Sequence, residues 1–157
     1  GEEPYTLAIL WHERLADEFP DIQFEVLATD ADAALLERAR RACYPPSVLK
    51  NLPEDLRNKA FTRNDNEHCL QPPYRSPVTF RQQDIRQTLP EGPFHLILCR
   101  NLVFTYFDEP LQREILQHLH AGLLPAGWLL LGVHEKLPPM QQDFIVVSER
   151  LGLYRRQ

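Results

Sequence analysis

Phe94-His95-Leu96-Ile97-Leu98-Cys99-Arg100-Asn101 is the stretch whose reading decides the fold. Its first six residues form a nearly continuous apolar run, too short for a helix of ordinary length. Such runs suit strands covered on both faces, as in parallel sheets. A polar pair, Arg100-Asn101, follows at once, at the carboxyl end of the expected strand. Downstream, residues 108–124 read as the clearest helix. Asp108 stands as its N-cap, Pro110 lies in its first turn, and Leu111, Ile115, Leu119 and Leu123 make one apolar stripe. Pro125 and Gly127 are expected to end it. Trp128 to Val133 then reads as a second buried strand, and Ile145 to Tyr154 as the last strand or strands.

The upstream half repeats the alternation. Residues 2–18 read as a helix whose Leu7, Leu10, Trp11 and Leu15 share one face, with Glu2 and Glu3 in its first turn. A strand over 22–28 leads into Thr29-Asp30, and a helix over 32–42 follows, capped by Asp30 or Asp32 and ended by Pro45-Pro46. Residues 47–77 are polar, proline-bearing and weakly periodic. They read as a small inserted subdomain or loop, with a short helix at 53–59 and then a hairpin or loop. A short strand follows over 78–83. Strands alternating with helices imply an α/β sheet, and such sheets bind ligands at the carboxyl ends of their strands. Asp30, Asp84, Arg100 and Asn101 lie at those ends.

Composition narrows the function. The 157 residues suit one domain, with 43% hydrophobic and 25% charged residues and a net charge of -5. No basic stretch is long enough to track a nucleic-acid backbone, and Arg38, Arg40 and Arg41 read as a solvated helix face. Cys43, Cys69 and Cys99 are odd in number and far apart, which suggests reduced thiols in a cytoplasmic protein. No apolar run reaches membrane-spanning length, and no signal peptide is visible. His118 and His120 are two apart on a helix, so they do not form a metal pair. His134-Glu135 lacks the second histidine of a zinc-protease helix. No metal site is expected.

Three segments, in order and at matching spacing, resemble the CheR-type family of chemotaxis-receptor methyltransferases. They are Gly1-Glu2-Glu3-Pro4-Tyr5-Thr6; Ala28-Thr29-Asp30-Ala31-Asp32 with Ala34-Leu35 and Ala39; and Cys99-Arg100-Asn101 with Tyr106-Phe107-Asp108 and Gln112-Arg113. Each is weak alone, and the ordered set is specific. The resemblance implies a Rossmann-like class I methyltransferase sheet with helices on both faces. Its cofactor would be S-adenosylmethionine, and its acceptor a protein glutamate carboxylate, as on a chemoreceptor-like protein. It places Asp30 on the ribose hydroxyls, Glu3 near the cofactor, Asp84 and Ile85 beside the adenine, and Arg100 and Asn101 near the methyl donor. Tyr106 would line the transfer pocket. The alternatives are a helix cap for Asp30, which the flanking motifs disfavour because Asp32 can cap, a helix-dipole carboxylate for Glu3, a turn residue for Asp84 and an ordinary packing aromatic for Tyr106.

An ionised carboxylate acceptor needs no general base, which fits a sequence with no catalytic triad. Arg100 would hold the acceptor's carboxylate or the cofactor's own. The family's glycine-rich loop, the central strand before it and the N-terminal helical region are missing from these residues, so the chain reads as opening partway through a longer protein. The 101–107 loop is one residue longer than usual, and Gly132-Val133-His134-Glu135 replaces the usual glycine-histidine-serine-glutamate. A small-molecule or other protein acceptor, or a non-catalytic remnant, are the competing readings.

Overall fold

The computed structural model describes residues 1–139 and 143–157. They divide into two units, Gly1–Asp84 and Ile85–Gln157.

In the first unit, α1 (Glu2–Leu10) starts at Gly1 with Glu2 and Glu3 in its first turn. The expected helix over 2–18 changes character at Trp11. Residues Trp11–Leu15 form a π-helical segment, with the Ala16 amide on the Trp11 carbonyl at 2.9 Å. The Trp11 ring there stacks on Phe24 at 4.9 Å. β1 (Val26–Asp30) therefore begins later than the expected 22–28, because Phe24 serves the stack rather than the sheet. Asp32 caps α2 (Ala33–Arg41), accepting from the amides of Ala34 and Leu35. Ala42, at φ 53°, ends that helix and turns the chain into β2 (Cys43–Tyr44).

Next come α3 (Glu54–Ala60), the hairpin of β3 (Phe61–Asn64) and β4 (Glu67–Leu70), α4 (Pro72–Arg75) and β5 (Val78–Gln82). β1 and β5 run parallel, with Val26 opposite Val78 and Asp30 opposite Gln82. The hairpin of β3 and β4 recruits β2 into an antiparallel sheet of order β2-β4-β3. This pairing corrects one expectation. Cys43 and Cys69 lie directly opposite each other on β2 and β4 and are joined as a disulfide. Cys99 is a buried free cysteine.

Glu13 ties three elements of this unit together. Its carboxylate accepts from Lys59 Nζ at 2.9 Å and from the Tyr74 hydroxyl at 2.7 Å. These bonds, Lys59 first, outweigh the opposing effect of burial and hold the carboxyl down at about 2. Burial, and then the Glu13 carboxylate, push the Tyr74 hydroxyl up to about 12.

The second unit contains β6 (Phe94–Cys99), α5 (Val103–Tyr106), α6 (Glu109–Gly122), β7 (Leu123–Leu131), β8 (Phe144–Ser148) and β9 (Leu153–Arg156). The sheet order is β6-β7-β9-β8. β6 and β7 are parallel and the remaining pairs antiparallel. Asp108 caps α6 as expected, accepting from the Leu111 amide at 3.1 Å. The helix stops at Gly122 and β7 starts at once, taking in Pro125 and Gly127 where a break was expected. An irregularity absorbs them: the β6–β7 register shifts between Phe94 and Leu96, and Ala126 has φ 62°. Gly127 is required there, since a Cβ would lie 2.8 Å from the Leu124 carbonyl oxygen. The core packs Ile115, Leu116 and Leu119 of α6 with Leu129 and Leu131 of β7 and Val103 of α5. Among the described strands, β1 pairs with β5 alone and β6 with β7 alone.

Two measurements check this organisation. Thiol titration of the denatured, unreduced protein is expected to find one reactive thiol per chain, and three after reduction. Glu13→Gln is expected to lower unfolding stability by about 1–3 kcal/mol. Because the folded Glu13 carboxyl sits at about 2, below the ordinary value of 4.5, its contribution is complete above that ordinary value and is lost as pH falls toward 2. Urea unfolding at pH 7 and pH 3 should therefore show a smaller wild-type-to-variant gap at the lower pH.

Candidate functional site

The site residues fall in both units. In the first, Asp30 is the last residue of β1 and is exposed. Its Oδ1 accepts the Asp32 amide at 2.9 Å, and its backbone carbonyl accepts the Gln83 amide at 2.9 Å. Asp32, not Asp30, caps α2, so the Asp30 carboxylate is left facing solvent at the strand end. Glu3 is exposed in the first turn of α1. α1 packs against β1. Gly1 is tightly seated. A Cβ there would lie 2.8 Å from Ala39 Cβ and 3.0 Å from the Tyr44 hydroxyl. Asp84 is half-buried just past β5.

In the second unit, Ile85 is half-buried against the core. Arg100 is half-buried directly after β6, and Asn101 is exposed at φ 53°. Tyr106, on the single-turn α5, is 73% exposed. The structure thus groups Arg100, Asn101 and Tyr106 on one strand-loop-helix connection, with Asp30 at the end of β1 and Glu3 in the first turn of α1.

Sequence reading missed the residue that organises this second group. Glu135, 5% exposed, accepts four hydrogen bonds. Oε2 takes the amides of Asn101 at 2.7 Å and Gly132 at 2.8 Å. Oε1 takes the Leu102 amide at 3.2 Å and the Thr105 hydroxyl at 2.7 Å. The Glu135 amide closes a turn onto the Gly132 carbonyl at 2.9 Å. Burial raises the carboxyl's pKa, but the donors, Thr105 first and then the amides of Asn101, Gly132 and Leu102, outweigh it and hold it below its ordinary value. Gly132 has to be glycine: a Cβ would sit 2.4 Å from Asn101 Oδ1 and 2.8 Å from Glu135 Oε2. Nearby Cys99 is the opposite case, its thiol pushed up to about 12 by burial and then by the Glu135 charge. That makes it a core residue, not a nucleophile. The available signal was Gly-x-x-Glu placed directly after a buried strand.

Two residues quoted for the resemblance serve the scaffold. Gln112 donates to the Phe107 carbonyl at 2.8 Å, and Arg113 to the Pro139 carbonyl at 2.8 Å and to Glu109.

An exposed acid ends one parallel strand in the first unit, and a pinned Arg-Asn turn ends another in the second; open α/β proteins bind ligands at such strand ends. Residues 1–153 match the family described as CheR methyltransferase, SAM binding domain, and the chain belongs to that family, whose fold is the Rossmann-like methyltransferase fold and whose ligand is S-adenosylmethionine. An uncharacterized 104.1 kDa protein of Rhodobacter capsulatus is 29% identical over 157 residues, covering 99% of this chain and 16% of that protein. Chemotaxis protein methyltransferase 2 of Vibrio cholerae is 30% identical, covering 99% of this chain and 55% of its own length. The chemotaxis protein methyltransferase of Escherichia coli is 33% identical, covering 92% and 51%. The chain spans about half the length of these named methyltransferases.

Because the folded Glu135 carboxyl titrates below an ordinary glutamate, its stabilising contribution is complete above that ordinary value and is lost as pH falls through the lowered one. Native-state hydrogen exchange is expected to show the amides of Asn101, Leu102 and Gly132 losing protection, relative to β7, as pH drops into that window.

Proposed function

We propose that this protein forms methyl esters on protein glutamate carboxylates with S-adenosylmethionine as donor, and that its acceptor is a chemoreceptor-like protein. The observation that carries the reading is Asp30. It is an exposed carboxylate at the end of a parallel strand, and Asp32 relieves it of capping. Such an acid accepts from both hydroxyls of a ribose. The family match and the relatives named chemotaxis protein methyltransferases support the rest.

The residues present suit the cofactor. Gly132 lets the Asn101 side chain and the Glu135 carboxylate pack where a Cβ would otherwise lie, which holds the end of β6 in place beside β7. S-adenosylmethionine, when bound, supplies a methyl group on a positively charged sulfur. A glutamate acceptor is ionised at neutral pH, so the protein's tasks are alignment and exclusion of water rather than proton transfer. Asp30 would hold the ribose and Glu3 would lie nearby. Asp84 would accept from the adenine amino group, with Ile85 beside the ring. Asn101 and Arg100 would flank the reacting end, with Arg100 on a carboxylate and Tyr106 lining the transfer pocket.

We read residues 1–157 as one cofactor-binding domain with 47–77 inserted in it, working in the cytoplasm. No helix among the described residues is long and apolar enough to cross a membrane.

The test uses the protein as its gene encodes it. Calorimetric titration with S-adenosylmethionine is expected to show Asp30→Ala binding about tenfold or more weakly than wild type. Radiolabelled methyl transferred to an acceptor should be released by mild base, as an ester is. Wild-type affinity in the Asp30 variant, or a base-stable product, would overturn the proposal.

A further inference from the structure

We propose that Glu135 is a positioning residue for the cofactor turn, setting where Arg100 and Asn101 present their side chains; the inference rests on the site reading above. Arg100 and Asn101 sit on a segment with little of its own to hold it. The strand has ended, Asn101 is in the left-handed region at φ 53°, and α5 is a single turn. The Glu135 carboxylate supplies what is missing. It bonds the amides of Asn101 and Leu102, the first hydroxyl-bearing side chain of α5 at Thr105, and the amide of Gly132 beyond β7. One acid thereby joins the connection after β6 to the end of β7, its parallel neighbour.

Chemistry selects a carboxylate for this place. All three amide partners can only donate, so two oxygens that only accept satisfy every one. A glutamine would put an NH2 group against at least one amide, leaving two donors face to face. Aspartate keeps both acceptor oxygens but is one methylene short. The predicted order is therefore Glu, then Asp, then Gln, which differs from the order expected of simple space filling.

Glu135→Gln, Glu135→Asp and Thr105→Val are compared with wild type in the protein as its gene encodes it. Circular dichroism confirms folding, calorimetry with S-adenosylmethionine gives affinity, and initial rates give the KM of cofactor and of acceptor separately. Glu135→Gln is expected to raise the cofactor Kd and KM about ten- to a hundredfold. Glu135→Asp should recover part of that loss, and Thr105→Val, which removes one donor of four, should lose less. A merely structural role would reduce the active fraction and leave the cofactor KM of the remainder unchanged, which would overturn the inference. So would unchanged affinity in folded Glu135→Gln. Should that variant not fold, unchanged affinity in folded Thr105→Val overturns it instead. Asp30→Ala separates the two levels: if it weakens binding while the Glu135 and Thr105 variants do not, only the positioning role fails. If wild type itself does not bind S-adenosylmethionine, the site reading fails.

Discussion

A buried carboxylate is tolerated only when its oxygens are filled, and Glu135 meets that condition with four donors. The rest of the second unit's site depends on this. With Glu135 in place, the connection after β6 has a fixed course although it lies past the sheet's own hydrogen bonds. Asn101 is drawn into the left-handed region, a conformation that asparagine tolerates better than most residues. Gly132 is forced by the same packing, since the carboxylate and the Asn101 amide fill the space a Cβ would take. Charge, backbone conformation and residue choice are three consequences of one set of bonds.

The first unit solves a similar problem by dividing labour between two acids. Asp30 and Asp32 are two residues apart, and only one is needed as a cap. Asp32 takes that task with two amide bonds, so the carboxylate at the strand end keeps its exposure. Elsewhere in the unit, Glu13 joins the π-helical segment to α3 and α4. The disulfide between Cys43 and Cys69 fastens β2 to the β3–β4 hairpin. A covalent link at this place stabilises a sheet whose first strand is only two residues long.

What could be read in the sequence was what is local. The run Phe94 to Cys99 forms its strand because five of its six residues are apolar, although only Cys99 is fully buried. Asp108 caps its helix because the cap bond spans three residues. What escaped was non-local or doubly consistent. The partners of Glu135 at Asn101, Leu102 and Thr105 are 34, 33 and 30 residues away, so no window contains them. Cys43 and Cys69 are 26 residues apart, and a count of three cysteines hides a pair. Leu123 continues the stripe of α6 and also faces the core from β7, so periodicity assigned it to the helix while tertiary packing gave it to the strand. Trp11 kept the helical spacing, but stacking on Phe24 altered the hydrogen bonding beneath it.

Asp30 in the first unit and Asn101 in the second share a design, each taken by itself. At Asp30 the backbone carbonyl is bonded to Gln83, and at Asn101 the backbone amide is bonded to Glu135. At Asp30 the anchor is the last ladder bond of β1 and at Asn101 it is a carboxylate just past the end of β6, while each residue as a whole stays exposed. A ligand meeting such a site finds polar groups whose attachment points are already fixed, so less freedom is lost on binding than at a loose loop. Strand ends are the natural place for this arrangement. There the sheet fixes direction, the ladder has stopped taking up backbone groups, and a single well-placed carboxylate can finish the work the ladder leaves undone.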